Sequence, residues 1–146
     1  MIPDVNVVVA AARDDHLHHA VAKQWWLNAL QTATAHKPIR LLPVVISGFL
    51  RIVTHPKVFA SPSTIDAATE YMDSLLSLPN VEYASVDSDW ATFRKLCVDK
   101  SLSGNAVPDA WIAACAIQLG DSLVTFDKDF RKLLSRSQLN VLKGKM

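Results

Sequence analysis

Four aspartates frame the chemistry open to this chain of 146 residues. Asp4 lies in the opening MIPDVN; Asp109 is near the start, and Asp127 and Asp129 at the end, of the mostly apolar stretch GNAVPDAWIAACAIQLGDSLVTFDKDF. Carboxylates are costly beside a hydrophobic core, so their positions want a reason. Taken singly, each has a structural one. Asp109, just after Pro108, favours a helix N-terminus; Asp127 opens an Asx turn in FDKDF, and Asp4 caps the segment after a first strand. Gathered at one rim they repel, and one must protonate unless a cation offsets the charge. Mg²⁺ and Mn²⁺ are the natural cations, because they prefer oxygen ligands and keep several waters. Such an ion orients a water, lowers its pKa and screens charge developing on a phosphodiester. The chemistry open to the cluster is metal-assisted phosphodiester hydrolysis.

The elements that must position these acids follow from patterning. A strand opens the chain and ends near Asp4. DDHLHHAVAKQWWLNAL is expected as a helix with Leu17, Val21, Trp25 and Ala29 on one face and Asp14 and Asp15 in its first turn. KPIRLL reads as a strand. PVVISGFLRIVTH reads as a helix opened by Pro43 and stopped by His55-Pro56; Gly48 inside it costs roughly 1 kcal/mol relative to Ala. SPSTIDAATEYMDSLLSLPN is a helix with Ser63 and Asp66 at capping-box spacing and Ile65, Ala68, Met72 and Leu75 on one side. The strand VEYASV follows, then a helix from Asp87 or Ser88 carrying Trp90, Phe93 and Leu96. PDAWIAACAIQL is apolar nearly all round, a buried helix closed by Gly120. SLVTF is a strand ending at Asp127; a short basic helix and a weak strand near Asn140–Leu142 finish the chain. Strands alternating with helices predict an α/β sandwich around a parallel sheet, in one domain, residues 1–146. Ligands bind such sheets beyond the carboxyl ends of the strands, where Asp4 and Asp127 fall.

MIPDVNVVVAAA, SGFLRIVTHPKVF, GNAVPDAWIAACAIQLG and LVTFDKDF, in that order, resemble PIN-domain ribonucleases, specifically the VapC toxins of bacterial toxin–antitoxin pairs. The resemblance runs nearly the whole chain. It implies a PIN-like α/β/α sandwich and a metal site at Asp4, Asp109 and Asp127 holding Mg²⁺ or Mn²⁺. Asn6 supports the first Asp, Thr125 helps place a water or phosphate, and Asp129 is either a water-mediated ligand or a rim residue. It further implies an RNA substrate, a homodimer and a VapB-like antitoxin. One departure stands out. The family commonly carries a Glu in the block that here reads VVISGFLRI, whereas no acid occurs from Ile39 to Thr64. One weakly held ion per site is therefore expected, and Gly48→Glu is expected to strengthen binding.

Composition bounds the rest. Half the residues are hydrophobic and the net charge is +1, which excludes disorder and a globally basic nucleic-acid binder. No apolar run reaches the ~18–20 residues of a membrane span, no leader precedes Asp4, and Cys97 and Cys115 read as core thiols; a cytoplasmic location is expected. Two basic groups, Arg40, Arg51 and Lys57, and the tail with Lys128, Arg131, Lys132, Arg136, Lys143 and Lys145, are either solvated faces or local phosphate contacts. Arg51, Lys128 and Arg131 are the candidates for the RNA backbone. His16, His18 and His19 are expected as solvated helix histidines, since their spacing does not share one helix face. Trp25, Trp26, Trp90 and Trp111 are expected in core or subunit contacts rather than stacked on bases. The reading is a divalent-metal-dependent endoribonuclease acting as a toxin. Its rival is a catalytically weakened PIN-like module that binds RNA or a protein partner.

Overall fold

The structure, a computed structural model, describes residues 1–86 and 90–144. All strand pairings are parallel. Strands β1 (Ile2–Pro3), β4 (Leu123–Thr125) and β5 (Leu139–Val141) form a sheet in the order β1-β4-β5, and β2 (Ile39–Leu41) pairs with β3 (Val81–Tyr83). The Arg40 N–H donates to the Met1 carbonyl at 2.8 Å, joining the two ladders edge to edge. The Met1 amino group donates to the Pro38 carbonyl at 3.1 Å, so the expected parallel sheet is present as two ladders bridged at Met1. These strands are two or three residues long. Their side chains make the centre of the core: Ile2, Ile39, Leu41 and Leu123 are fully buried. Burial on both faces is what a parallel sheet flanked by helices requires.

The first helix had no counterpart in the sequence reading. Residues Val5–Ala12 form α1, although three valines in a row favour strand over helix by their stiff χ1. Burial decides against propensity: Val7, Val8, Val9 and Ala10 are all in the core, and Asp4 caps the helix by accepting the Val5 N–H at 2.8 Å. The second helix, α2 (His19–Thr32), begins later than expected. Asp14 and Asp15 lie before it, and Arg13 holds Asp15 at 2.7 Å. Its buried positions are Ala22, Trp26 and Ala29, while Leu17, expected on the inner face, is 76 % exposed.

Helix α3 (Pro43–Val53) starts at Pro43, and α4 (Ile65–Leu76) is capped by Thr64, whose hydroxyl accepts the Ala67 N–H, rather than by Ser63. Ala68, Met72 and Leu75 face inward; Ile65, in the first turn, does not. Trp90–Asp99 forms α5, with the expected start at Asp87 or Ser88 lying outside the described residues. Helix α6 (Ala106–Leu119) buries six residues and stops at Gly120, whose φ of 61° is the left-handed conformation that glycine adopts without strain. The basic helix after β4 is a 3-10 turn, Lys128–Lys132, followed by a second, Arg136–Gln138. Trp26 is buried, Trp25 and Trp111 are half-buried, and Trp90 is exposed. Cys115 is buried, Cys97 partly so, and both are free thiols.

Candidate active site

Register brings the first and last acids together. Pro3 pairs with Val124 across β1 and β4, and the Asp4 N–H donates to the Val124 carbonyl at 2.8 Å. Asp4 therefore leaves β1 beside Thr125, the last residue of β4. The buried Thr125 hydroxyl donates to Asp4 Oδ2 at 2.7 Å and accepts the Asp127 N–H at 3.0 Å and Asn6 Nδ2 at 3.2 Å. Asn6, one residue into α1, also accepts the Phe126 N–H on its Oδ1 at 3.3 Å. One side-chain oxygen thus ties the ends of two strands and the start of a helix into one unit. Asp127 in turn accepts the Asp129 N–H on Oδ1 at 2.8 Å, so the Asx turn expected in FDKDF is formed. Asp109 arrives from the first turn of α6, and its carboxylate accepts no hydrogen bond from a described residue.

The electrostatics follow from this crowding. Burial foremost raises the Asp4 carboxyl above its ordinary value, with the Asp127 charge adding to the rise; the bonds from Thr125 and Val5 oppose it. Asp109 is pushed up to about 6, first by burial and then by the charges of Asp4, Asp127 and Asp129. A carboxyl raised by three neighbouring carboxylates is one that a cation would lower. The three acids are thus neighbours in charge as well as in place.

Asp4, Asp109 and Asp127 line a cleft of about 490 Å³, together with Asn6, His16, Ser47, Gly48 and Arg51. Asp109 and Asp127 also line a second cleft, of about 400 Å³, shared with Asp129, Lys100 and Lys132. The two acids form the ridge between these clefts. Asp129 belongs to the second, across the ridge from Asp4. Of the basic candidates, Arg51 lies in the acid cleft, whereas Lys128 and Arg131 line a third cleft beside Phe126. Arg40 leaves the phosphate-contact set, because it is bound to Asp121 at 2.6 Å and Glu82 at 3.5 Å. Lys100 and His16 join this site through the fold, with no motif in the sequence that ties either to the acids, and Lys132 comes to it from the basic tail.

The donors at the rim are carboxylate, amide and hydroxyl oxygens, the set that Mg²⁺ and Mn²⁺ take and that softer ions do not. Among the described residues, no three His, Cys, Asp or Glu side chains stand close enough to form a closed ligand group. The donor chemistry fits such an ion, then, held in part through water rather than in a ready protein cage. Position 48, in the block that lacks an acid, is packed closely against α1. A Cβ there would lie 2.8 Å from Val5 Cγ2 and 3.3 Å from Cγ1. Glycine lets α3 approach the residue next to Asp4, and the Glu expected to strengthen metal binding at this position requires the Val5 side chain to move aside. The histidines also differ from expectation. His16 and His18 precede α2, the His16 Nδ1 accepts the His18 N–H at 3.0 Å, and His19 Nδ1 bonds the Ala10 carbonyl at 2.8 Å.

Comparison with known proteins agrees with this architecture. Residues 1–134 match the PIN domain family. The chain is 30 % identical over 133 residues to Ribonuclease VapC25 of Mycobacterium tuberculosis, covering 90 % of this chain and 92 % of that one. It is 33 % identical over 130 residues to VapC ribonuclease Mb2897 of Mycobacterium bovis, covering 88 % and 86 %. Among solved structures, VapBC2 from Rickettsia felis bound to a DNA fragment from its promoter aligns with a TM-score of 0.67 at 17 % identity, over 97 % of this chain and 98 % of that one. FitAB bound to the IR36 DNA fragment aligns with a TM-score of 0.65 at 16 % identity, over 96 % and 93 %. With a family match spanning almost all of its elements and VapC ribonucleases among its relatives, the chain belongs to the PIN-domain family.

Proposed function

We propose that this chain is the toxin of a toxin–antitoxin pair, a single-domain endoribonuclease that needs Mg²⁺ or Mn²⁺, with a VapB-like antitoxin and a second copy of itself as partners. The observation that carries the catalytic part is the meeting of Asp4, Asp109 and Asp127 at one cleft, with Asp109 raised to about 6 by burial and its neighbours' charges. Relatives named ribonucleases support the reaction class. Among the described residues, no helix is long and apolar enough to cross a membrane.

In this reading Asp4, Asp109 and Asp127 hold the ion. Bound there, it supplies a more acidic water and offsets charge developing on the phosphodiester. The chain's own residues do the rest. Thr125 fixes the Asp4 carboxylate and the Asp127 backbone, and Asn6 holds Thr125 and Phe126 in register. Arg51, in the same cleft, takes a phosphate of the RNA. Lys100 and Lys132, across the ridge, take another.

Asp109→Asn tests the assignment: RNA cleavage by the purified variant is expected to fall at least ~100-fold, the scale of losing one key electrostatic contact. Unchanged cleavage removes Asp109 from the mechanism. The rival, a weakened module that binds without cutting, is favoured by the glycine at position 48 and by the lack of a closed three-residue ligand group among the described residues. Calorimetric titration with Mn²⁺ separates the two: one weak site per chain supports the nuclease, and no heat of binding supports the module.

A further inference from the structure

Three aromatic rings run from the acid cleft into its neighbour. His16 lines the cleft of Asp4, Asp109 and Asp127. Its ring centroid is 5.8 Å from that of His18, and His18 lies stacked on Phe126 at 4.7 Å with 24° between planes. His18 and Phe126 line a separate cleft of about 480 Å³ with Lys128, Arg131 and Lys143. None of the three rings is fully buried, the three cations are exposed, and none of these cations is ion-paired with a described residue. Phe126 also joins the two clefts covalently, standing between Thr125 and Asp127.

We propose that the His18–Phe126 pair is the stacking surface for one base of the RNA, next to the scissile phosphate, and that Lys128, Arg131 and Lys143 hold the phosphates flanking it. This rests on the ribonuclease reading above and adds to it a subsite outside the acid cleft. The chemistry matches how single strands are held: an aromatic face takes a base and surrounding cations track the backbone. The way His18 is held agrees. Its backbone N–H donates to His16 Nδ1, while its ring Nδ1 is buried without a partner among the described residues. An orphaned ring nitrogen costs stability; what fixes the ring is its plane against Phe126 and, on one edge, the backbone of Gly144, where a Cβ would come within 2.3 Å of Cε1. Among the described residues, the ring's contacts are thus through its plane and edge.

The test uses the whole chain and a labelled single-stranded RNA of about ten nucleotides, in chelator so that nothing is cut, with affinity read by fluorescence anisotropy. A series of the same RNA carries one abasic position each. One abasic position is expected to weaken binding at least about fivefold, the lower end of a base–aromatic stack. Phe126→Ala is expected to weaken the intact RNA by a similar factor and to lose its response to that abasic position, whereas Phe126→Tyr keeps both. If no abasic position matters, or if Phe126→Ala responds to it as the wild type does, the subsite is refuted and the rings serve only to pack the histidine loop against the C-terminal segment. Because the change in the first arm is in the RNA, a poorly folded variant cannot produce that result. The two readings fail separately. A chain that binds with the abasic signature yet cuts no RNA with metal loses the nuclease reading and keeps the subsite; one that cuts, with no abasic effect, does the reverse.

Discussion

Replacing Asp109 by Asn is the sharpest physical probe of the crowded rim, because it removes charge at constant size from the one acid of the three whose carboxylate accepts no hydrogen bond from a described residue. Its pKa rises from 3.8 to about 6 on folding. A native pKa above the unfolded one means that the native state binds the proton more tightly, so stability declines as pH rises from 3.8 towards 6 and stays reduced above that. The full shift corresponds to about 3 kcal/mol. Asp109 is only half-buried, and solvent screening brings this to ~1.5 kcal/mol. Asn also forgoes the favourable interaction of a carboxylate with the first turn of α6, ~0.3–1 kcal/mol in the opposite direction. Repulsion and burial win by about 1 kcal/mol.

Asp109→Asn is therefore expected to raise the chelator-treated melting temperature by ~3 °C at pH 7.5, for a chain of this size, and to change it little at pH 4, where the wild-type group is protonated too. Metal reverses the order. At ten times its dissociation constant an ion binding only the native state adds about 1.4 kcal/mol to the wild type, and less to the variant. Thermal melts at two pH values, with chelator and with Mn²⁺, give all four numbers. A variant that melts below the wild type in chelator at pH 7.5, or a difference that persists at pH 4, would refute the reasoning.

Thr125→Val keeps shape but leaves Asp4 Oδ2 and the Asp127 N–H without their partner, so urea unfolding should show a loss of ~1–3 kcal/mol, most of it restored by Thr125→Ser. Gly48→Glu should lower stability by ~1–3 kcal/mol through the collision with Val5; relief of the loss by Val5→Ala would confirm the cause. Arg51→Ala should weaken RNA binding and reduce its log–log salt slope by about 1, and an unchanged slope removes Arg51 from the phosphate path.

What could be read in the sequence is what periodicity and strand ends encode. Asp4 and Asp127 were placed at the carboxyl ends of parallel strands, and Asp109 in a first helical turn, by local pattern alone; the structure puts all three there. Helix α1 was hidden because its valines have strand propensity, and only their burial makes them helical. Helix α2 shifted because DDHLHH resembles an acidic first turn, yet Asp15 is engaged by Arg13 and the helix waits until His19. The ring row and the Thr125 hub were out of reach for a different reason. Thr125 meets Asp4 across 121 positions, and His18 meets Phe126 through the fold, so no window of sequence contains either pair.

The hydrogen bonds also rank the three acids by freedom, and this bears on how an ion is taken up. Asp4 has both oxygens engaged, one by the Val5 N–H and one by Thr125, and Asp127 has one oxygen held by its own turn. These two are fixed in place by the strands and the 3-10 turn that carry them. Asp109 rides on α6 with its carboxylate unengaged by any described residue and its pKa raised first by burial and then by the other acids. A fixed pair with a loose third member accounts for a rim of suitable donors that nevertheless contains no closed three-residue group among the described residues. Under the proposed function, Asp4 and Asp127 would form the fixed part of the ion's ligand set and Asp109 its third member.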